Sequence, residues 1–161
     1  MIDEIRAHVA RRIADLDGFL GLQRTTEGTA PYLFVPGDDL SQLAMSPRYP
    51  LSSIVSRLHT ADPEIRLGVV ARACDVRALV EMAKRQQVDP ERLYLLGIAC
   101  TAEEAEVCSC ADPAFRIEGW PQADVIGTPP EPGPPDPIVA EYENMPLETR
   151  RAFWQQQFLK C

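Results

Sequence analysis

Cys74 stands between two arginines, Arg72 and Arg77, and three more cysteines, Cys100, Cys108 and Cys110, follow within a short stretch. Thiolates are nucleophiles and soft-metal ligands. An iron–sulfur cluster or a structural zinc takes four soft ligands, commonly thiolates brought together by close spacing. Cys100, Cys108 and Cys110 supply three, and the last residue, Cys161, would make a fourth. A Cys-x-Cys pair is less diagnostic than Cys-x-x-Cys. The same residues also fit small buried thiols, or a transient redox pair of Cys108 and Cys110. Glu103, Glu104 and Glu106, between the cysteines, read as a solvated acidic loop rather than as ligands.

The first cysteine lies in the turn Ala71-Arg72-Ala73-Cys74-Asp75. Backbone amides at a helix N-terminus, with two guanidinium groups, can hold a phosphate or another anion. The glycine-rich phosphate fingerprint is absent, so this is not an ordinary dinucleotide loop. The competing reading is an inert buried cysteine with its arginines in surface pairs. The helix N-terminus and the arginines would favour a thiolate at Cys74.

The elements that must position these residues are legible in the hydrophobic pattern. Ile65, Leu67, Val69 and Val70 form the apolar run of a buried parallel strand. Asp75 can cap the following helix, on which Val76, Leu79, Val80 and Ala83 share a face. Val88-Asp89-Pro90 stops that helix, and Leu93–Ile98 is a second apolar strand. Strand, helix and strand make a βαβ crossover, whose ligands bind at the carboxyl ends of the strands. Cys74 and Cys100 both fall at those ends.

Elsewhere, Ile2, Ile5, Val9, Ile13 and Leu16 fit one face of a first helix. Phe19–Leu22 and Pro31–Val35 read as strands, with Gln23–Ala30 a polar loop between them. Asp38–Pro50 is irregular and shows no chemistry. Ser52 or Ser53 caps a helix carrying Ile54, Val55 and Leu58. His59, at its end, and His8 are read as structural. Asp124–Gly127 is a short third strand, Thr128–Pro137 a proline-rich spacer, and Leu147–Lys160 an amphipathic helix with Phe153, Trp154 and Phe158.

The predicted fold is α/β, with a central, mostly parallel sheet, a Cys-bearing extension and a C-terminal amphipathic helix. Residues 1–127 form the α/β domain, 128–146 a proline-rich linker and 147–161 the terminal helix. The 161 residues suffice for one such core. A net charge of −8 argues against nucleic acid or an anionic membrane as a partner. No apolar run is long enough for a transmembrane segment, and the N-terminus lacks a signal-peptide core. A cytoplasmic location is expected, and with it reduced thiols.

The segment GVVARACDVRALVEMAKRQQVDPERLYLLGIAC resembles the signature of the beta-subunit family of coenzyme F-420 (deazaflavin) hydrogenases and dehydrogenases. That signature has an Arg/Lys-x-Cys-Asp/Gln turn, a helix, and a strand ending in Gly-(Ile/Val)-x-Cys. LGLQRTTEGTAPYLFV, CSC with ADVIG, and ETRRAFWQQQFLKC resemble further elements of the family. The last is similar to an aromatic helix leading into a ferredoxin-type cysteine run, before which this chain is expected to be truncated. The resemblance implies an electron-transfer subunit carrying FAD and a [4Fe–4S] cluster. It would work with other subunits of a redox complex and with a soluble electron carrier. The implied flavin-binding residues are Arg72, Ala73, Cys74, Asp75 and Arg77. The implied cluster ligands are Cys100, Cys108, Cys110 and Cys161. The alternative is a cofactor-free docking domain with a structural metal at the cysteines of 100–110.

Overall fold

The computed structural model describes residues 1–108, 110, 112–115, 117, 120–132 and 137–159. The first half of the chain contributes α1 (Ile2–Arg12), β1 (Gly18–Thr25), β2 (Gly28–Phe34), β3 (Leu43–Ala44) and α2 (Ser52–Ala61). The crossover follows as β4 (Leu67–Ala71), α3 (Ala73–Lys84) and β5 (Leu93–Ile98). After it come α4 (Ala102–Val107), β6 (Ala123–Ile126), α5 (Pro137–Asn144) and α6 (Leu147–Phe158). The α/β architecture expected from the sequence is present. Among the described residues, six strands form one sheet in the order β2-β1-β4-β5-β6, with β3 also on β1. The β1–β4, β4–β5 and β5–β6 pairs are parallel, and β2 and β3 pair antiparallel to β1.

Alternation along the strands divides the core between two faces. Leu67, Val69 and Leu95 pack with Val55 of α2 and with Val76 and Leu79 of α3. Phe19, Val70, Leu96 and Ile98 pack on the other face with Ile5 and Val9 of α1. β4 and β5 are buried at every position, which is why they read as unbroken apolar runs. Two glycines make room for rings. A Cβ at Gly68 would lie 2.4 Å from the Phe19 ring, and one at Gly97 would lie 2.9 Å from Phe115.

Three local differences from the sequence reading have physical causes. Gln23–Ala30 is not a loop but the outer half of a β1–β2 hairpin, paired out to Thr25 and Gly28. Gly28 has φ +139, a value that favours glycine, and it starts β2. The stretch read as a linker over 128–146 includes α5. Neither Ser52 nor Ser53 caps α2, since Leu51 occupies the N-cap without a side-chain bond.

The β1 edge matters most for the site. β1 pairs with β4 only from Gly18 to Leu20. At Leu22 and Gln23, β3 takes over that edge. The two central strands therefore part at their carboxyl ends, and a cleft opens between them.

Candidate functional site

The cleft encloses about 200 Å³ at the carboxyl edge of the sheet. Leu22 and Val70 come to it from the diverging strands, Met45, Arg48 and Pro50 from the segment after β3, and Cys108 from the end of α4. Arg72, Cys74 and Asp75 bring the turn at the start of α3. Ala73 and Arg77, from the same turn, do not line it. Ala73 is buried, and the Arg77 guanidinium donates to the Asp112 carbonyl at 2.7 Å.

Asp75 holds this corner together. It is not the N-cap of α3, as the sequence suggests, but its third residue, and Arg72 is the cap. One Asp75 carboxylate oxygen accepts the Arg72 amide at 3.2 Å, and the other accepts the Leu51 amide at 3.1 Å. A single side chain thus satisfies orphan amides at the starts of both α2 and α3. Burial pushes the Asp75 carboxyl up, while the amide bonds from Arg72, Ser52 and Leu51 act the other way.

Arg72 is equally engaged. Its side chain is buried, donating to the Ala99 carbonyl at 3.0 Å and in a fork to Glu104 at 2.8 and 3.2 Å. The Glu104 carboxylate also accepts the Thr101 amide, and Thr101 Oγ1 accepts the Glu104 amide, a reciprocal cap for α4. Glu104 is therefore a structural partner rather than part of a solvated loop.

The thiols gather on this edge, with Cys100 in electrostatic reach of both Cys74 and Cys110. Cys74 and Cys108 line the cleft. Cys100 and Cys110 are half-buried and close enough for the Cys110 charge to act on Cys100. Burial pushes the Cys74 thiol up, and the Asp75 carboxylate adds to this, so the expected thiolate at the helix start is not favoured. Burial likewise pushes up the Cys100 thiol, with Arg72 opposing it. Among the described residues, no three His, Cys, Asp or Glu side chains are gathered to hold a metal ion. The fourth expected ligand, Cys161, lies outside the described residues.

Sequence reasoning passed over Arg48. Its Nη1 donates to the Glu104 carbonyl at 3.1 Å and contacts the Cys108 sulfur, bridging the loop after β3 to the end of α4. The available signal was the pattern Ser46-Pro47-Arg48-Tyr49-Pro50, in which two prolines stiffen a loop that presents an arginine and an aromatic ring.

No family model matches the chain. A stretch of 37 residues is 38% identical to subunit beta of F420-dependent formate dehydrogenase 1 from Methanococcus maripaludis. The match spans 23% of this chain and 10% of that relative. Among the described residues, no helix is long and apolar enough to cross a membrane.

Proposed function

We propose that this chain is an electron-transfer module of an oxidoreductase complex, passing electrons between a soluble carrier such as a deazaflavin and a partner enzyme. The observation that carries the reading is the cleft at the β1–β4 parting, where Cys74 and Cys108 meet Arg48 and Arg72. The short likeness to a formate dehydrogenase beta subunit supports the same class.

Flavin adenine dinucleotide is the proposed cofactor. Pockets that enclose a drug-sized ligand hold about 300–1,000 Å³, so a cleft of about 200 Å³ would take one part of this molecule and leave the rest outside. When bound, the flavin supplies the redox chemistry. The chain's residues bind and orient it, with Leu22, Met45 and Val70 excluding water from one end. Cys100, Cys108 and Cys110 are proposed ligands of a [4Fe–4S] cluster, together with Cys161. The described thiols do not form a closed four-sulfur set.

The test is the visible absorption and the iron and sulfide content of chain purified without oxygen and supplied with FAD. Flavin absorption that survives gel filtration is the expected result. Protein that retains neither flavin nor iron would sink the reading. The second reading, a cofactor-free docking domain with a structural metal at Cys100, Cys108 and Cys110, is favoured by the exposed Ile138, Trp154 and Phe158 of α5 and α6. It predicts a colourless protein containing zinc.

A further inference from the structure

We infer that Arg48 recognises the anionic end of the ligand in the cleft, and that this ligand is a flat apolar ring carrying a phosphate or a similar anionic group. The inference rests on reading the cleft as a cofactor site and assigns the residue that orients the cofactor in it.

The anion donors apparent from the sequence are already engaged. The Asp75 carboxylate lies between the N-termini of α2 and α3 and takes the Leu51 and Arg72 amides. An anion approaching there would meet a carboxylate, with which it would repel. The Arg72 guanidinium is committed to Glu104 and Ala99, and Arg77 lies outside the cleft on Asp112.

Arg48 differs from all of these. Its Nη1 is fixed on the Glu104 carbonyl and against Cys108, while Nε and Nη2 bond to no described residue. The guanidinium is thus oriented at one corner and keeps two donors for a ligand, the arrangement that suits a planar, two-pronged bond to phosphate. Its loop is also restrained, since Leu51 is held by Asp75 and Pro47 and Pro50 flank the arginine.

The rest of the lining supplies the other half of the ligand. Leu22, Ala44, Met45, Pro50 and Val70 give apolar walls, and Tyr49 joins them, itself half exposed. A free phosphate would make no use of these walls, and a neutral ring would make none of Arg48. A ring bearing an anionic substituent uses both. For a flavin, this puts the isoalloxazine against the apolar walls and the phosphate on Arg48.

The test titrates flavin mononucleotide and riboflavin, which differ by the phosphate, into the full chain and into Arg48→Ala, Arg48→Gln, Arg48→Lys and, at an exposed arginine away from the cleft, Arg57→Ala. The aromatic anion 8-anilinonaphthalene-1-sulfonate is measured on the same set. Loss of a charge-assisted bond predicts that Arg48→Ala and Arg48→Gln weaken the mononucleotide about tenfold or more. Riboflavin binding should be unchanged, Arg48→Lys should keep part of the affinity, and Arg57→Ala should keep all of it. Equal mononucleotide affinity in the full chain and the Arg48 variants overturns the inference. If neither flavin binds, the flavin reading falls and the naphthalene sulfonate decides. Weaker binding of this probe by Arg48→Gln sustains the role of Arg48, whereas unchanged binding, or none to the full chain, removes it.

Discussion

The Asp75 carboxylate accepts the Leu51 amide across 24 residues of sequence, and so joins the start of α2 to the start of α3. Because Asp75 also accepts the Arg72 amide, its removal strands two buried donors. Asp75→Ala should therefore cost on the order of 2–3 kcal/mol, and Asp75→Asn, which keeps one acceptor, clearly less. Urea unfolding of both variants checks this, and equal midpoints for Asp75→Ala and the unaltered chain would count against it.

Gly68 lies under the Phe19 ring, which is fully buried and has no room to retreat. Gly68→Ala should destabilise by about 1–3 kcal/mol through overpacking. Gly97→Ala meets Phe115, which is only partly buried, and should lower the thermal midpoint less. The reverse order would show that the β1–β4 contact is looser than its geometry implies.

His59 should make the fold sensitive to acid. Its Nδ1 accepts the Asp89 amide at 3.3 Å, and its buried Nε2 has no partner among the described residues. Burial holds its pKa below the ordinary 6.5, and burial does the same at His8. The unfolded chain then takes up protons at these sites before the native chain does. Their contribution to stability is complete above pH 6.5 and is lost as the pH falls through the lowered native values. The urea midpoint should drop as the pH falls from about 6.5 toward 5, and drop less in His59→Gln. Identical slopes in the two proteins would exclude His59 as a source.

Cys74 is exposed, yet its thiol is pushed up by burial of the sulfur and by Asp75. Alkylation follows the thiolate fraction. With iodoacetamide near neutral pH, Cys74 should react more slowly than a free cysteine, and Asp75→Asn should speed it. Peptide mapping after timed alkylation reads this directly, and a Cys74 that outpaces free cysteine would refute it.

The elements and the site differ in how far the sequence reveals them. Leu67–Ala71 and Leu93–Ile98 are buried on both faces, so their apolar runs mark them as strands. The α3 stripe of Val76 and Leu79 likewise marks a helix against that sheet. A hairpin edge is harder to read. β2 alternates exposed and half-buried residues up to Phe34, so its first residues, Gly28, Thr29 and Ala30, pass for part of a loop. The thiols of the site are visible as residues, but their states are not. Cys74 looks activated by its neighbours in sequence, whereas desolvation of its sulfur and the Asp75 carboxylate work the other way.

By itself, the sequence determines the crossover, the placing of Cys74 and Cys100 at the carboxyl ends of its strands, and a sheet that is mostly parallel. These follow from local periodicity and from the rule that such strands need a covering helix. Only the tertiary structure decides which charges are spent and which are available. Arg72 meets Glu104 across 32 residues, and Arg48 meets Cys108 across 60. Such pairings depend on how β3 displaces β4 from the β1 edge and brings three loops to one rim. No local pattern encodes that displacement, because hydrogen-bond and charge partners are chosen by distance in space and not by spacing along the chain.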